Sequence, residues 1–139
     1  MNLKLNEEEV AVFLDEVFPQ VRGEFTIEEV RPLYARVRMK VAERHLRPGG
    51  TVSGPAMFGL ADCAFYIATL AMIGREALTV TTNLNINFLR KPEPVDLIAE
   101  ARILKLGKLL STGDVTLCSE GSDKPVAHAT TTYAIPPRD

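Results

Sequence analysis

The feature that most constrains this chain is an apolar run over residues 55–73 that carries a single carboxylate, Asp62, near its middle. An ionised group costs several kcal/mol to bury unless it is paired, hydrogen-bonded or at a wet boundary. The run is long enough to span a membrane, but Asp62, Pro55 and the neighbouring glycines favour a fully buried core helix. We therefore expect a long central helix over about residues 55–73 and a task for Asp62.

The composition narrows the classes of protein that the chain can belong to. Its 139 residues are 46% apolar and 24% charged, with a net charge of −2, which predicts one globular domain over residues 1–139. The charge gives no case for nucleic-acid or membrane partners. Two scattered histidines and two cysteines offer no metal site, and we expect both thiols to be free. The acidic start of the chain lacks the apolar run of a signal peptide and predicts a cytoplasmic protein.

Local patterns predict an α+β fold. Asn6 and the acids after it predict a capped amphipathic helix over about residues 6–18. Period-two alternation predicts strands between 24 and 41, with a break at Arg31–Pro32, and again over 77–89, 95–106, 109–119 and 126–135. The order of elements is typical of an antiparallel sheet with helices on one face.

Three segments, over residues 47–62, 83–92 and 98–108, carry a resemblance to a known family. In this order and spacing they resemble the hotdog-fold acyl-CoA thioesterases of the phenylacetate-degradation type. The first segment places Ser53-Gly54-Pro55 where the family has His-Gly-Gly, and Asp62 follows Gly54 by eight residues.

The resemblance implies a hotdog fold, an antiparallel β-sheet wrapped around the long central helix. It also implies hydrolysis of a small or medium acyl-CoA, aliphatic or aromatic, to a free acid and coenzyme A. No cofactor is expected apart from the coenzyme A of the substrate. The expected assembly is a homodimer or homotetramer with sites between subunits.

The resemblance also implies catalytic roles. Asp62 would be the general base or nucleophile, and the Gly54 N–H at the helix start would stabilise the oxyanion. Pro55 has no N–H to donate. Ser53 would contribute a hydroxyl, or would act only as a helix cap. The alternative for Asp62 is a structural acid tied to a hydroxyl or a guanidinium.

Further residues are candidates for binding. The substrate-binding candidates are Arg47, Phe58, Tyr66, Asn83 and Asn85, and the candidates for the phosphates of coenzyme A are Arg90, Lys91, Lys105 and Lys108. The alternative for Phe58 and Tyr66 is core packing, and that for Asn83 and Asn85 is subunit pairing or solvent exposure. For the basic residues it is ordinary surface charge. Arg47 could also pair with Asp62 across subunits.

Two other functions remain open. The departures at Ser53, Pro55 and Arg47 suit a non-catalytic acyl-CoA-binding hotdog protein. A hotdog hydratase or dehydratase would need a His–acid pair, and the central helix offers no histidine near Asp62.

Overall fold

The computed structural model describes residues 2–138, which form two α-helices and a six-stranded antiparallel sheet. The elements are α1 (Glu7–Val17), β1 (Phe25–Arg31), β2 (Tyr34–Met39), α2 (Gly54–Ile73), β3 (Val80–Phe88), β4 (Leu97–Leu106), β5 (Leu110–Ser119) and β6 (Pro125–Ala134). The predicted α+β class, both helices and all the predicted strands are confirmed.

Helix α1 begins with a complete capping box. The Asn6 side chain accepts from the Glu9 N–H at 2.9 Å, and the Glu9 carboxylate accepts from the Asn6 N–H at 3.0 Å. One face buries Val10, Phe13 and Leu14, so α1 packs against the rest of the fold.

Helix α2 is the core of the fold. Ser53 caps it, Pro55 lies in its first turn, and it ends at Gly74, whose φ of 97° favours glycine. Of its 20 residues, 14 are buried. By length and hydropathy it is the one helix of the described residues that could cross a membrane. Since most of it is buried within the protein, we assign it as a core helix.

The sheet has the order β1-β2-β4-β5-β6-β3, and every neighbouring pair is antiparallel. The face toward α2 buries many small or β-branched residues beside larger ones such as Leu97 and Leu117; the small and β-branched ones are Ala35, Val37, Ala99, Ala101, Val115, Ala127 and Ala129. Short side chains let the strands approach the helix closely, which explains why α2 is apolar on nearly every side.

Position 113 in β5 requires glycine because β4 and α2 both approach its backbone closely. A Cβ at this position would lie 2.0 Å from the Arg102 carbonyl oxygen and 2.7 Å from the Phe65 ring. The contact occurs next to an irregularity in β4 between Ile103 and Lys105. The sheet therefore bends around α2 at a point where no side chain fits.

Strand β3 lies at one edge of the sheet and is poorly covered. Its inward side chains Leu84 and Ile86 are only half-buried, and Val80 and Phe88 are exposed. The first half of α2 lies beside this edge, and Phe58 there is 40% exposed. The edge and the exposed face of α2 together form an open strip that contains Asp62.

Candidate active site

Asp62 lies in the third turn of α2 and is half-buried beside the start of β3. The Thr81 hydroxyl donates to its Oδ1 at 2.7 Å, and the Tyr133 hydroxyl reaches the same oxygen at 2.6 Å. The Tyr133 hydroxyl also lies 2.9 Å from the backbone oxygen of Asp62. Among residues 2–138 nothing donates to the other carboxylate oxygen, Oδ2, so one oxygen is held by two hydroxyls and the other is unpaired.

A cavity of about 260 Å³ opens at this carboxylate. The end of α1 contributes Val17 and Phe18 to its wall, and α2 contributes Tyr66, whose hydroxyl donates to the Ala77 carbonyl at 2.9 Å. Thr79 also lines the cavity, and its buried hydroxyl has no partner within the described chain. The cavity is therefore mixed, with an apolar wall from α1 and polar groups beside Asp62.

Cys63 also lines the cavity, next to Asp62. Burial, and then the charge of Asp62, raises the pKa of the thiol to about 12. The side chain therefore remains protonated at neutral pH and cannot act as the nucleophile. Asp62 is the one carboxylate among the described residues that line the cavity.

The start of α2 leaves one backbone donor free. Ser53 accepts from the Ala56 N–H at 3.2 Å through its hydroxyl and from the Met57 N–H through its carbonyl. Pro55 has no N–H, and no acceptor in the described part of the chain pairs with the Gly54 N–H. The Gly54 N–H, at the positive end of the helix dipole, is thus available to an oxyanion.

The loop before α2 is held in place from behind. The His45 ring accepts from the Ala42 N–H at 2.9 Å through Nδ1 and lies 3.1 Å from Glu24 through Nε2. Its backbone carbonyl accepts from the Ser53 N–H at 2.7 Å. His45 therefore supports the helix start.

A second cavity, of about 400 Å³, lies at the helix start. Arg47, Gly54, Phe88, Arg90 and Lys91 line it. The structure thus brings three of the predicted binding residues to the free Gly54 N–H, although Arg90 also donates to the Pro125 carbonyl at 2.6 Å.

Other predicted site residues lie elsewhere. Lys108 lines a recess with Ile73, at the opposite end of α2 from Gly54, and Lys105 lies on the same hairpin. The four basic residues that the sequence groups as one phosphate site are therefore two separate pairs within a single chain.

Asn83 and Asn85 are exposed on the face of the sheet away from α2, and they do not line the cavity at Asp62. They pair with Thr132 and Thr130 of β6, whereas Leu84 between them pairs with the buried Thr131. Neither amide is brought to Asp62 within one chain. Tyr66 lines the cavity, and Phe58 lies on the open strip.

Sequence reasoning missed the two donors to Asp62, Thr81 and Tyr133. Both lie on the inner face and are paired across β3 and β6. The only signal was the alternation of β6, which places Tyr133 on the same face as the buried Ala127 and Ala129. Tyr133 and Asp62 are 71 residues apart in the chain, so no local pattern joins them.

The described residues contain no cluster of three or more His, Cys, Asp or Glu side chains that could hold a metal ion. His128 Nε2 lies 2.9 Å from Oδ2 of Asp114. Both residues belong to the strand positions that alternate with the buried, inward-facing ones. No histidine of the described chain lines the cavity at Asp62.

This fold and site can now be compared with known proteins. A family model described as the thioesterase superfamily matches residues 49–126. Human acyl-coenzyme A thioesterase 13 is 30% identical over 113 residues, which cover 79% of this chain and 79% of the relative.

Solved structures agree. A candidate thioesterase from Silicibacter sp. TM1040 is 53% identical, with a TM-score of 0.92 over 99% of this chain and 96% of the other. A mutant of the phenylacetic acid degradation protein PaaI from Thermus thermophilus is 27% identical, with a TM-score of 0.74 over 85% of this chain and 99% of the other.

The chain therefore belongs to the thioesterase superfamily. Its long helix packed against a six-stranded antiparallel sheet is the hotdog fold, as the sequence predicts. It is a thioester hydrolase of the type resembling PaaI.

Proposed function

We propose that this protein hydrolyses small or medium acyl-CoA thioesters, aliphatic or aromatic, with Asp62 as general base or nucleophile. The observation that carries the proposal is a carboxylate with one unpaired oxygen at the mouth of a partly apolar cavity, in a chain of the thioesterase superfamily. The relative named as an acyl-coenzyme A thioesterase supports the choice of the thioester.

The reaction needs only water and the thioester. In the general-base route, Oδ2 of Asp62 takes a proton from water while the water oxygen bonds to the carbonyl carbon. The carbon–sulfur bond then breaks, and the proton passes to the departing thiolate, which leaves a carboxylic acid and the thiol of coenzyme A. In the nucleophilic route, Oδ2 bonds to the carbonyl carbon, the carbon–sulfur bond breaks and the thiolate of coenzyme A departs, which leaves a mixed anhydride on Asp62. Water then cleaves the anhydride to the free acid and the Asp62 carboxylate, and the released proton passes to the thiolate. Neither route uses a resident cofactor.

The developing oxyanion needs a donor that one chain does not place near Asp62. Gly54 and Asp62 are eight residues apart, or about 12 Å along a helix that rises about 1.5 Å per residue. A single carbonyl group cannot contact both. We therefore propose that the site takes Asp62 from one copy and Gly54 from another.

The edge of the sheet favours such a pairing. Strand β3 is nine residues long, carries no charged side chain and exposes much of its length. An uncovered edge of this kind is a template for pairing with another strand. A homodimer joined through β3 would cover it and would also cover Phe58.

The geometry of β3 favours the proposed arrangement of residues. A two-fold axis at Leu84, the midpoint of β3, would place the partner's Phe88 opposite Val80. Gly54 packs on Phe88, since a Cβ on Gly54 would lie 3.3 Å from that ring. Thr81, next to Val80, holds Asp62. The partner's Gly54 would therefore lie beside Asp62.

The same dimer would reunite the basic residues. The partner's Arg90 and Lys91 would extend past Val80, toward the end of the sheet that holds Lys105 and Lys108. We propose that the two pairs hold the phosphates of coenzyme A from opposite subunits. The partner's Arg47 lines the same cavity as the partner's Arg90 and Lys91, so it would lie near the thioester.

The volume of the cavity at Asp62 supports a small acyl group. Its volume of about 260 Å³ falls below the range of about 300–1,000 Å³ that is usual for drug-sized ligands. A short chain or a single ring would fit, with Tyr66 as one wall. A longer chain would need space from the partner subunit.

A non-catalytic acyl-CoA-binding protein is the alternative, because Pro55 and Ser53 replace the family residues. A hydratase or dehydratase has less support, because no histidine of the described chain lines the cavity. A cytoplasmic location stays a prediction from the sequence.

A panel of acyl-CoA substrates tests the proposal, with release of free thiol as the measurement. We expect the wild type to hydrolyse short-chain or single-ring esters, and Asp62→Asn to lose about 10²–10⁴-fold in kcat. A wild type that binds acyl-CoA but hydrolyses none of the panel supports the binding protein. Undiminished activity in Asp62→Asn contradicts the mechanism.

A further inference from the structure

Tyr133 is the most completely buried of the polar groups that contact Asp62. Its side chain comes from β6 and is only 4% exposed. The hydroxyl reaches Oδ1 of Asp62 at 2.6 Å and the backbone oxygen of the same residue at 2.9 Å. A hydrogen bond from a neutral donor to a carboxylate is stronger than a bond between neutral groups, especially where water is excluded.

The ring of Tyr133 is fixed by two aromatic neighbours on α2. It stacks on Tyr66 at a centroid distance of 5.8 Å and an angle of 19°, and it is tilted by 36° against Phe65 at 5.8 Å. The hydroxyl therefore cannot swing away from Asp62. It is also a poor acid, because burial and then the charge of Asp62 raise its pKa well above the usual range for tyrosine.

We propose that Tyr133 is a positioning residue that anchors Oδ1 of Asp62 and thereby presents Oδ2 to the thioester or to water. This rests on the proposed function, since it assumes that Asp62 carries the reaction. A free carboxylate rotates about its last bond and offers either oxygen in many orientations. Anchoring one oxygen fixes the direction of the other, and a correctly oriented reacting group gains rate without tighter substrate binding.

The test is Tyr133→Phe, which keeps the ring and removes the hydroxyl. We expect kcat to fall by about 10–100-fold while KM changes by less than about threefold, because the interaction acts on the reacting group and not on bound substrate. Tyr34→Phe is the matched control, since the Tyr34 hydroxyl also donates to a carboxylate, that of Glu100, away from the site. The control should leave both constants unchanged.

A double-mutant cycle separates positioning from a merely structural role. If Tyr133 acts only through Asp62, Tyr133→Phe should cause no further loss of kcat in the Asp62→Asn background. An equal loss in both backgrounds contradicts the proposal. If Tyr133→Phe does not fold by circular dichroism, Tyr133→Met, which fills the space without a donor, takes its place with the same expectations.

The outcomes distinguish this inference from the proposed function. A wild type without hydrolytic activity overturns the proposed function itself. A wild type that is active and depends on Asp62, but whose Tyr133→Phe variant keeps its kcat or changes only in KM, overturns the role of Tyr133 and leaves the proposed function intact.

Discussion

At Asp62, two hydroxyl groups from different strands hold one carboxylate oxygen and leave the other facing a cavity. The half-buried position explains why a carboxylate is tolerated in an apolar helix. The charge lies at the open strip beside β3 and receives two hydrogen bonds, so it is not buried without partners. The same arrangement suits the proposed role of Asp62 as base or nucleophile.

A substitution at Ser53 tests whether this residue, which stands where the family has histidine, acts only as a helix cap. Ser53→Ala should lower the free energy of unfolding by about 1 kcal/mol, because the Ala56 N–H loses its acceptor. The kcat for thioester hydrolysis should be largely retained. Urea unfolding and steady-state kinetics measure the two effects.

Ser53→Gly is the matched control, because glycine at a cap costs only about a few tenths of a kcal/mol relative to serine. It removes the hydroxyl without much loss of stability. A large drop in kcat in both variants would show that the hydroxyl takes part in the reaction, contrary to the capping role.

Among the elements, α2 and β3 determine where the site can form. The first residue of α2, Gly54, has a free backbone N–H. Two turns further along the helix, Asp62 lies beside the start of the edge strand β3. Strand β3 is the uncovered border of the sheet. The site therefore lies where the fold is least closed within one chain.

Gly113 tests the packing of the sheet around α2. Gly113→Ala should lower the free energy of unfolding by about 3 kcal/mol or more, because its Cβ would overlap the Arg102 carbonyl and the Phe65 ring. Gly107→Ala on the same hairpin is the control, since its Cβ would make an ordinary 3.7 Å contact. Equal urea midpoints for the two variants would contradict this account of the close approach.

The helices could be predicted because their signals are local. Ser53, Pro55 and Gly74 mark the two ends of α2, and Asn6 marks the start of α1. The strands followed from alternation, but their order in the sheet did not, since pairing joins distant segments. The contact between Tyr133 and Asp62 depends on that order and could not be read from the sequence.

The asparagines show how a local irregularity limits such predictions. Alternation correctly places Asn83 and Asn85 on one face, yet it does not tell which face meets the helix. The register of β3 shifts between Thr81 and Asn83, so Thr81 points to Asp62 and Asn83 points away. A regular strand would have put both on the same side.

At the scale of the whole molecule, the proposed mechanism requires two copies of the chain. In the proposed dimer, one copy would supply the carboxylate and the other the Gly54 N–H, which lies about 12 Å along α2 from the Asp62 of its own chain. The uncharged edge strand supplies the surface through which the copies would pair. A monomer should therefore be inactive.

Subunit complementation tests this claim most directly, with Asp62→Asn and Gly54→Pro as the two variants. Gly54→Pro removes the N–H at a position where proline suits the start of a helix, and the extended backbone of Ser53 (φ −72°, ψ 154°) is compatible with a following proline. Gly54→Ala, which keeps the N–H, controls for the added bulk against Phe88.

Each variant alone should be nearly inactive, with about one hundredth of the wild-type activity or less. When the two are co-expressed or refolded together, about half of the dimers are mixed, and each mixed dimer holds one intact site, so about a quarter of the wild-type activity should return. A folded, dimeric mixture that is no more active than its parents would contradict a site shared between two copies.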